Sequence, residues 1–96
     1  MIFSQISFNF LQIEFDRPQT LNELQLMFQG GFAGKNCWIE ITQETGFEKH
    51  QDFYPEDSNK LQVFPLNPVT CKGIKIVFGE STDFYGRITV YQLKLR

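Results

Sequence analysis

His50 and Asp52 stand two residues apart, a spacing that puts both side chains on one face of a strand, and a histidine beside a carboxylate is the raw material of an acid/base pair. It is the one histidine in the 96 residues. A nucleophilic triad would also need a serine on a sharp strand-to-helix elbow, and no GxSxG or comparable context occurs. The pair therefore reads as a surface histidine near a carboxylate. Gly30-Gly31-Phe32-Ala33-Gly34-Lys35 is similar in composition to a phosphate loop, but that motif requires a glycine where Gln29 stands and a Ser or Thr where Asn36 stands. The plainer reading is a glycine-rich hairpin that lets Phe32 project from a sheet.

Metal chemistry is no better served. Asp52, Glu56 and Asp57 surround Pro55 and offer hard oxygen ligands of the kind Ca²⁺ takes, but their spacing is not that of an EF-hand loop. Asp57 with Ser58 and Asn59 is expected instead to cap its turn through side-chain to backbone hydrogen bonds. One histidine and two distant cysteines give no zinc ligand spacing, and Cys37 and Cys71 form no CxxC pair; they read as reduced core thiols. No catalytic, cofactor or metal site is expected. Asp83 and Arg87 flank Phe84-Tyr85-Gly86, so a tight turn would bring them together as an ion pair that shapes the loop. Aromatic residues next to Gly or Pro, Phe32 and Phe84-Tyr85 above all, are the best candidates to reach the surface, and Trp38 could join them in a stacking platform or an interface hot spot. The candidate partner-binding residues are Gly30, Gly31, Phe32, Trp38, Asp83, Phe84, Tyr85 and Arg87.

Composition bounds the partners. Nine basic against eleven acidic residues give a net charge of −2, which supplies no field to attract a phosphate backbone; nucleic acid is not an expected partner. Eleven Phe give one small domain, residues 1–96, much to bury, each fully buried ring contributing about 1.5–3 kcal/mol. Met1 to Gln5 carry no positive charge, Asn9, Gln12 and Glu14 interrupt the apolar residues that follow, and no run approaches the roughly 18 apolar residues of a membrane helix. No membrane association is expected, and a nuclear or cytoplasmic location is.

The elements that must position these residues are strands, because apolar residues recur with period two almost throughout. Phe8 and Phe10 alternate with Ser7 and Asn9, then Leu11, Ile13 and Phe15 with Gln12 and Glu14, so a bulge or a division into two short strands is expected between Phe10 and Leu11. Asp16-Arg17-Pro18-Gln19 reads as a turn and Leu24, Leu26 and Phe28 as the clearest strand. Gly30 to Gly34 forms a loop, Cys37 to Ile41 a strand, Thr42 to Gly46 a turn and Phe47 to Tyr54 a further strand. Leu61 to Phe64 is expected to end at Pro65 and to lie at an edge, since Pro65 and Pro68 cannot donate to a central ladder. Ile74 to Phe78 and Arg87 to Leu95 complete six or seven strands, the last shifting phase between Val90 and Tyr91. An Asp-Phe-Tyr turn occurs twice, at Asp52-Phe53-Tyr54 and at Asp83-Phe84-Tyr85, each expected to close a strand. An all-β sandwich or barrel follows.

Leu24 to Phe32, Asp52 to Asp57, Leu61 to Pro65 and Thr82 to Arg87, in this order, resemble the nuclear receptor 2C2-associated protein family, a discoidin-like group. Gly86-Arg87-Ile88 followed by Leu93 and Leu95 also resembles the closing strand of discoidin (coagulation factor 5/8 type C) domains. The resemblance implies a galactose-binding-like jelly roll, either incomplete at the N-terminus or different in register, because family members carry a segment ahead of the equivalent of Phe10 that Met1 to Phe8 cannot supply. It implies a non-enzymatic, intracellular protein-interaction module that associates with an orphan nuclear receptor and represses its transactivation. A carbohydrate- or lipid-binding module is the alternative, and a purely structural subunit of a larger assembly a third.

Overall fold

The computed structural model describes residues 10–96. Five strands account for most of them: β1 (Phe10–Phe28), β2 (Gly34–Gln43), β3 (Gly46–Phe53), β4 (Leu61–Ser81) and β5 (Val90–Leu95). All pairings are antiparallel, in the order β3-β2-β4-β1-β5.

Two of these strands are far longer than usual, at 19 and 21 residues, and that is how one sheet makes two layers. The first half of β4 pairs only with the second half of β1, which also carries β5 along Leu24–Phe28. The second half of β4 lies between the first half of β1 and β2. Between the halves the register breaks: Glu14 pairs with Gly73 and Gln19 with Cys71, so Phe15 to Pro18 oppose Lys72 alone, and a second break leaves Asn22 opposite Leu66 to Pro68. Extra residues on one strand bend it and increase its twist, so the sheet folds over at these corners.

The core sits between the layers. Leu24, Leu26 and Phe28 are fully buried, as their alternation requires, and face Ile39, Ile74, Ile76 and Phe78 from the other layer. The Phe28 and Phe78 rings meet edge to face with centroids 5.9 Å apart, the arrangement that aromatic quadrupoles favour. Cys37 and Cys71 are free and buried in this core; burial pushes the Cys37 thiol up to about 12 and raises that of Cys71, so both stay protonated thiols.

Several expectations need correction. Asp16 to Gln19 is a bend inside β1 rather than a turn between strands, because both flanking segments find partners on the same strand, β4. For the same reason Leu61 to Phe64 and Ile74 to Phe78 are two halves of one strand, which reduces six or seven strands to five. The edge position argued from Pro65 and Pro68 holds locally, since that half of β4 has a ladder on one side only. No bulge separates Phe10 from Leu11, whose register against Val77 and Ile76 is continuous; Ser7, Phe8 and Asn9 lie outside the described residues. The phase shift in the last strand is present: Met27 pairs with Gln92 and Phe28 with Val90. It leaves Tyr91 bulged and outward, and the strand starts at Val90 instead of Arg87.

The seam between β3 and the first half of β4 is closed without a backbone ladder. The Gln51 side-chain amide donates to Pro65 O at 2.8 Å and accepts from Asn67 N at 2.8 Å, and His50 Nε2 lies 2.7 Å from Asn67 O. Prolines have removed donors from this stretch of β4, and a side-chain amide stands in for a strand's peptide group.

Candidate functional site at the loop end

Three loops meet at one end of the sandwich: residues 29–33 between β1 and β2, 54–60 between β3 and β4, and 82–89 between β4 and β5. The first and third are joined by backbone hydrogen bonds. Gln29 N donates to Thr89 O at 3.0 Å, Thr89 N to Phe32 O at 2.9 Å and Thr82 N to Ala33 O at 2.9 Å, while Ala33 N donates to the Thr82 hydroxyl at 3.0 Å.

The second loop holds the first through its side chains. Gly30 N donates to Asn59 Oδ1 at 2.6 Å and Gly31 N to Asp57 Oδ1 at 2.7 Å. Phe32 N donates to Gln29 O and Ala33 N to the Thr82 hydroxyl, so the N–H groups of Gly30 to Ala33 are all taken by the chain itself and do not form a phosphate cradle. Gly31 has φ of 87°, a left-handed conformation that side chains with a Cβ rarely adopt. Asp57 and Asn59 thus act as caps, though of the neighbouring loop; Ser58 caps locally, its hydroxyl accepting from Lys60 N at 2.9 Å.

In the third loop Asp83 and Arg87 form the expected pair and do more than balance charge. Arg87 Nε donates to Asp83 Oδ2 at 2.9 Å and Nη2 to Oδ1 at 3.2 Å, and Arg87 N donates to the same carboxylate at 3.0 Å. These bonds from Arg87 hold the Asp83 carboxyl below the usual carboxylate range and raise the guanidinium. Gly86 N donates to Asp83 O at 3.0 Å, and the Ser81 hydroxyl donates to Arg87 O at 2.6 Å while accepting from Asp83 N. Gly86 takes φ of 80°, which this closure requires.

A loop closed so tightly leaves Phe84 and Tyr85 at its tip, 93% and 78% exposed. Their rings stand edge to face, centroids 5.2 Å apart. The Arg87 guanidinium lies 5.4 Å from the Tyr85 ring and 5.2 Å from that of Phe32, bridging the first and third loops by cation–π contact. Phe32 is half-buried beneath this bridge.

Gly30, Gly31, Phe32, Asp83, Phe84, Tyr85 and Arg87 are therefore brought to one place. Trp38 is not: it lies within β2 on the outer face of the sheet, its Nε1 donating to Glu40 at 2.7 Å and its ring facing Lys49 Nζ at 5.7 Å. Asp57 and Asn59 were expected to cap their own turn and instead hold Gly31 and Gly30 of the first loop, while Ser81 and Thr82 were not named as site residues; the partners lie up to 49 residues away. The one available signal was chemical type, Asx and hydroxyl residues flanking strand ends. The acid/base reading of His50 and Asp52 does not form: a bulge lies at His50, between the pairs Ile39–Gln51 and Glu40–Lys49, His50 turns to Asn67, and Asp52 pairs with Lys49 at 2.8 Å. Among the described residues no group of three or more His, Cys, Asp or Glu is placed to hold a metal ion, and no helix is long and apolar enough to cross a membrane.

Proteins of known sequence and structure place this arrangement. The chain is 46% identical over 86 residues to the nuclear receptor 2C2-associated protein of Danio rerio, covering 86% of this chain and 60% of that protein. It is 42% identical over 90 residues to the Xenopus laevis protein of that name (93% and 66%) and 39% over 84 residues to the Homo sapiens one (86% and 60%). Along most of its length the chain is homologous to the nuclear receptor 2C2-associated proteins. It spans about three fifths to two thirds of the length of these relatives. No family model matches.

Solved structures similar to it include the family 32 carbohydrate-binding module of Streptococcus pneumoniae EndoD, with a TM-score of 0.74 at 12% identity over 96% of this chain and 73% of that one. The family 32 module of C. perfringens NanJ, solved with galactose, gives 0.75 at 11% identity over 90% and 64%. At such identities the likeness is one of fold: a discoidin-like, galactose-binding-like jelly roll.

Proposed function

We propose that this chain is a non-catalytic protein-interaction module that associates with a nuclear receptor through its loop end, in the nucleus or cytoplasm, and that it restrains transactivation by occupying the receptor. The observation that carries this reading is the exposure of Phe84 and Tyr85 on a loop already fixed by the Asp83–Arg87 pair. Exposed aromatic residues are the residue type that anchors interfaces, and a pre-ordered loop loses little conformational entropy on docking. The names of the homologues supply the class of partner. Arg87 is satisfied within the chain, so the surface offered is aromatic with a neutralised rim, suited to an apolar pocket rather than to nucleic acid.

The test is a pull-down from nuclear extract with the purified chain, beside a Phe32→Ala/Phe84→Ala double variant that passes a thermal-melt check. Recovery of a nuclear receptor by the wild type alone is expected. Recovery of none by a folded wild type, with quenching of Trp38 fluorescence by galactose, would replace the reading with a carbohydrate-binding one.

A further inference from the structure

Two glutamines bond the backbone in the same way at different places. The Gln51 side chain closes the seam between β3 and β4, and the Gln62 side chain holds one residue of the second loop: Glu56 N donates to Gln62 Oε1 at 2.7 Å and Gln62 Nε2 donates to Glu56 O at 2.9 Å. The start of β4 inverts the usual alternation to put Gln62 there. Leu61 and Val63 face outward, 45% and 49% exposed, while Gln62 pairs with the buried Leu26 and takes the inward side. A polar side chain on that side costs free energy unless it is hydrogen-bonded, and both of its polar atoms are bonded to Glu56.

From Glu56 the contacts run on to the aromatic tip without a gap. Asp57, the next residue, accepts from Gly31 N, and Asn59 accepts from Gly30 N. A Cβ on Gly30 would stand 3.3 Å from Asn59 Oδ1, so the first two loops are packed together as well as bonded. Phe32 follows Gly31, and its ring lies against the Arg87 guanidinium that also faces Tyr85. We infer that Gln62 is a positioning residue for the loop-end surface: by holding Glu56 it fixes Asp57 and Asn59, and through Gly30 and Gly31 it sets Phe32 against Arg87 and the tip. The inference rests on the reading of the loop end as a docking surface. Gln62 itself touches no partner and acts through the order it gives that surface, since a pre-ordered surface loses less conformational entropy on docking.

The test compares Gln62→Met, which keeps the length of the side chain and removes both hydrogen bonds, with Gln51→Met, which removes bonds of the same kind from the β3–β4 seam. The readouts are amide exchange followed by NMR and affinity for nuclear receptor 2C2, with melting temperatures showing every variant folded. Gln62→Met is expected to speed exchange at Gly30 and Gly31 and to weaken affinity, each by roughly fivefold, while Gln51→Met leaves both as in the wild type. Asp57→Ala, which cuts the same chain of contacts at an exposed position, should weaken affinity too, and adding Gln62→Met to it should cost less than the two losses combined. Unchanged exchange at Gly30 and Gly31 in Gln62→Met would overturn the inference, as would faster exchange with unchanged affinity, an equal effect of Gln51→Met, or full additivity with Asp57→Ala. A wild type that binds no receptor would strike the docking reading instead, and the exchange comparison then decides for Gln62.

Discussion

The two Asp-Phe-Tyr segments share three residues and differ in every structural respect. Phe53 is buried, 3% exposed, with its ring 4.9 Å from that of Phe64, whereas Phe84 is 93% exposed and touches the ring of its own neighbour. The cause is where the strand stops. β3 runs through Phe53, which pairs with the buried Cys37 and so points inward with it. β4 ends at Ser81, and Phe84 falls three residues beyond, in a turn whose shape comes from Asp83, Gly86 and Arg87. The two aspartates diverge likewise: Asp52 holds Lys49 on the strand surface, while Asp83 accepts from both the side chain and the backbone of Arg87. The same tripeptide builds core in one place and a presented surface in the other.

Substitutions should separate these roles. Phe53→Ala leaves a cavity beside Phe64 and is expected to destabilise the fold by about 3 kcal/mol or more, seen in a chemical-denaturation midpoint. Phe84→Ala should leave that midpoint unchanged and weaken receptor binding by about 2 kcal/mol, the scale of a hot-spot aromatic. Gly86→Ala imposes a left-handed conformation on a residue with a Cβ and costs about 1 kcal/mol, chiefly in the order of the loop. Faster amide exchange over residues 82–87 with little change in β3 would show it.

The smallest effect is a pH dependence at the second copy. The Asp83 carboxyl titrates lower in the folded chain than in the unfolded one because Arg87 hydrogen-bonds its charged form. Its contribution is therefore fully present above the ordinary carboxylate range and lost as pH falls through the depressed value. The Arg87 backbone amide resonance should shift in that acidic window, and Asp83→Asn should abolish the shift. A shift that persists in Asp83→Asn would contradict this assignment.

The sequence carried some of this and not the rest, for physical reasons. Leu24, Leu26 and Phe28 alternate cleanly because one face of that strand is covered, and the Asp83–Arg87 pair lies within one turn, so both were legible. The Asp16-Arg17-Pro18 bend was not, since a proline beside polar residues marks a reversal and a corner alike; the choice rests on whether the flanking segments share a partner, which is a long-range property. The anchors of Gly30 and Gly31 are 29 and 26 residues away, beyond any local pattern. Trp38 was grouped with the loop aromatics by residue type, but strand position decided its location.

The most direct test of the central claim is the affinity of the purified chain for a purified nuclear receptor 2C2, measured by surface plasmon resonance for the wild type and for Phe84→Ala. The account predicts an affinity about 30-fold weaker for the variant with an unchanged melting temperature; equal affinity, or a loss that appears only together with unfolding, would contradict it.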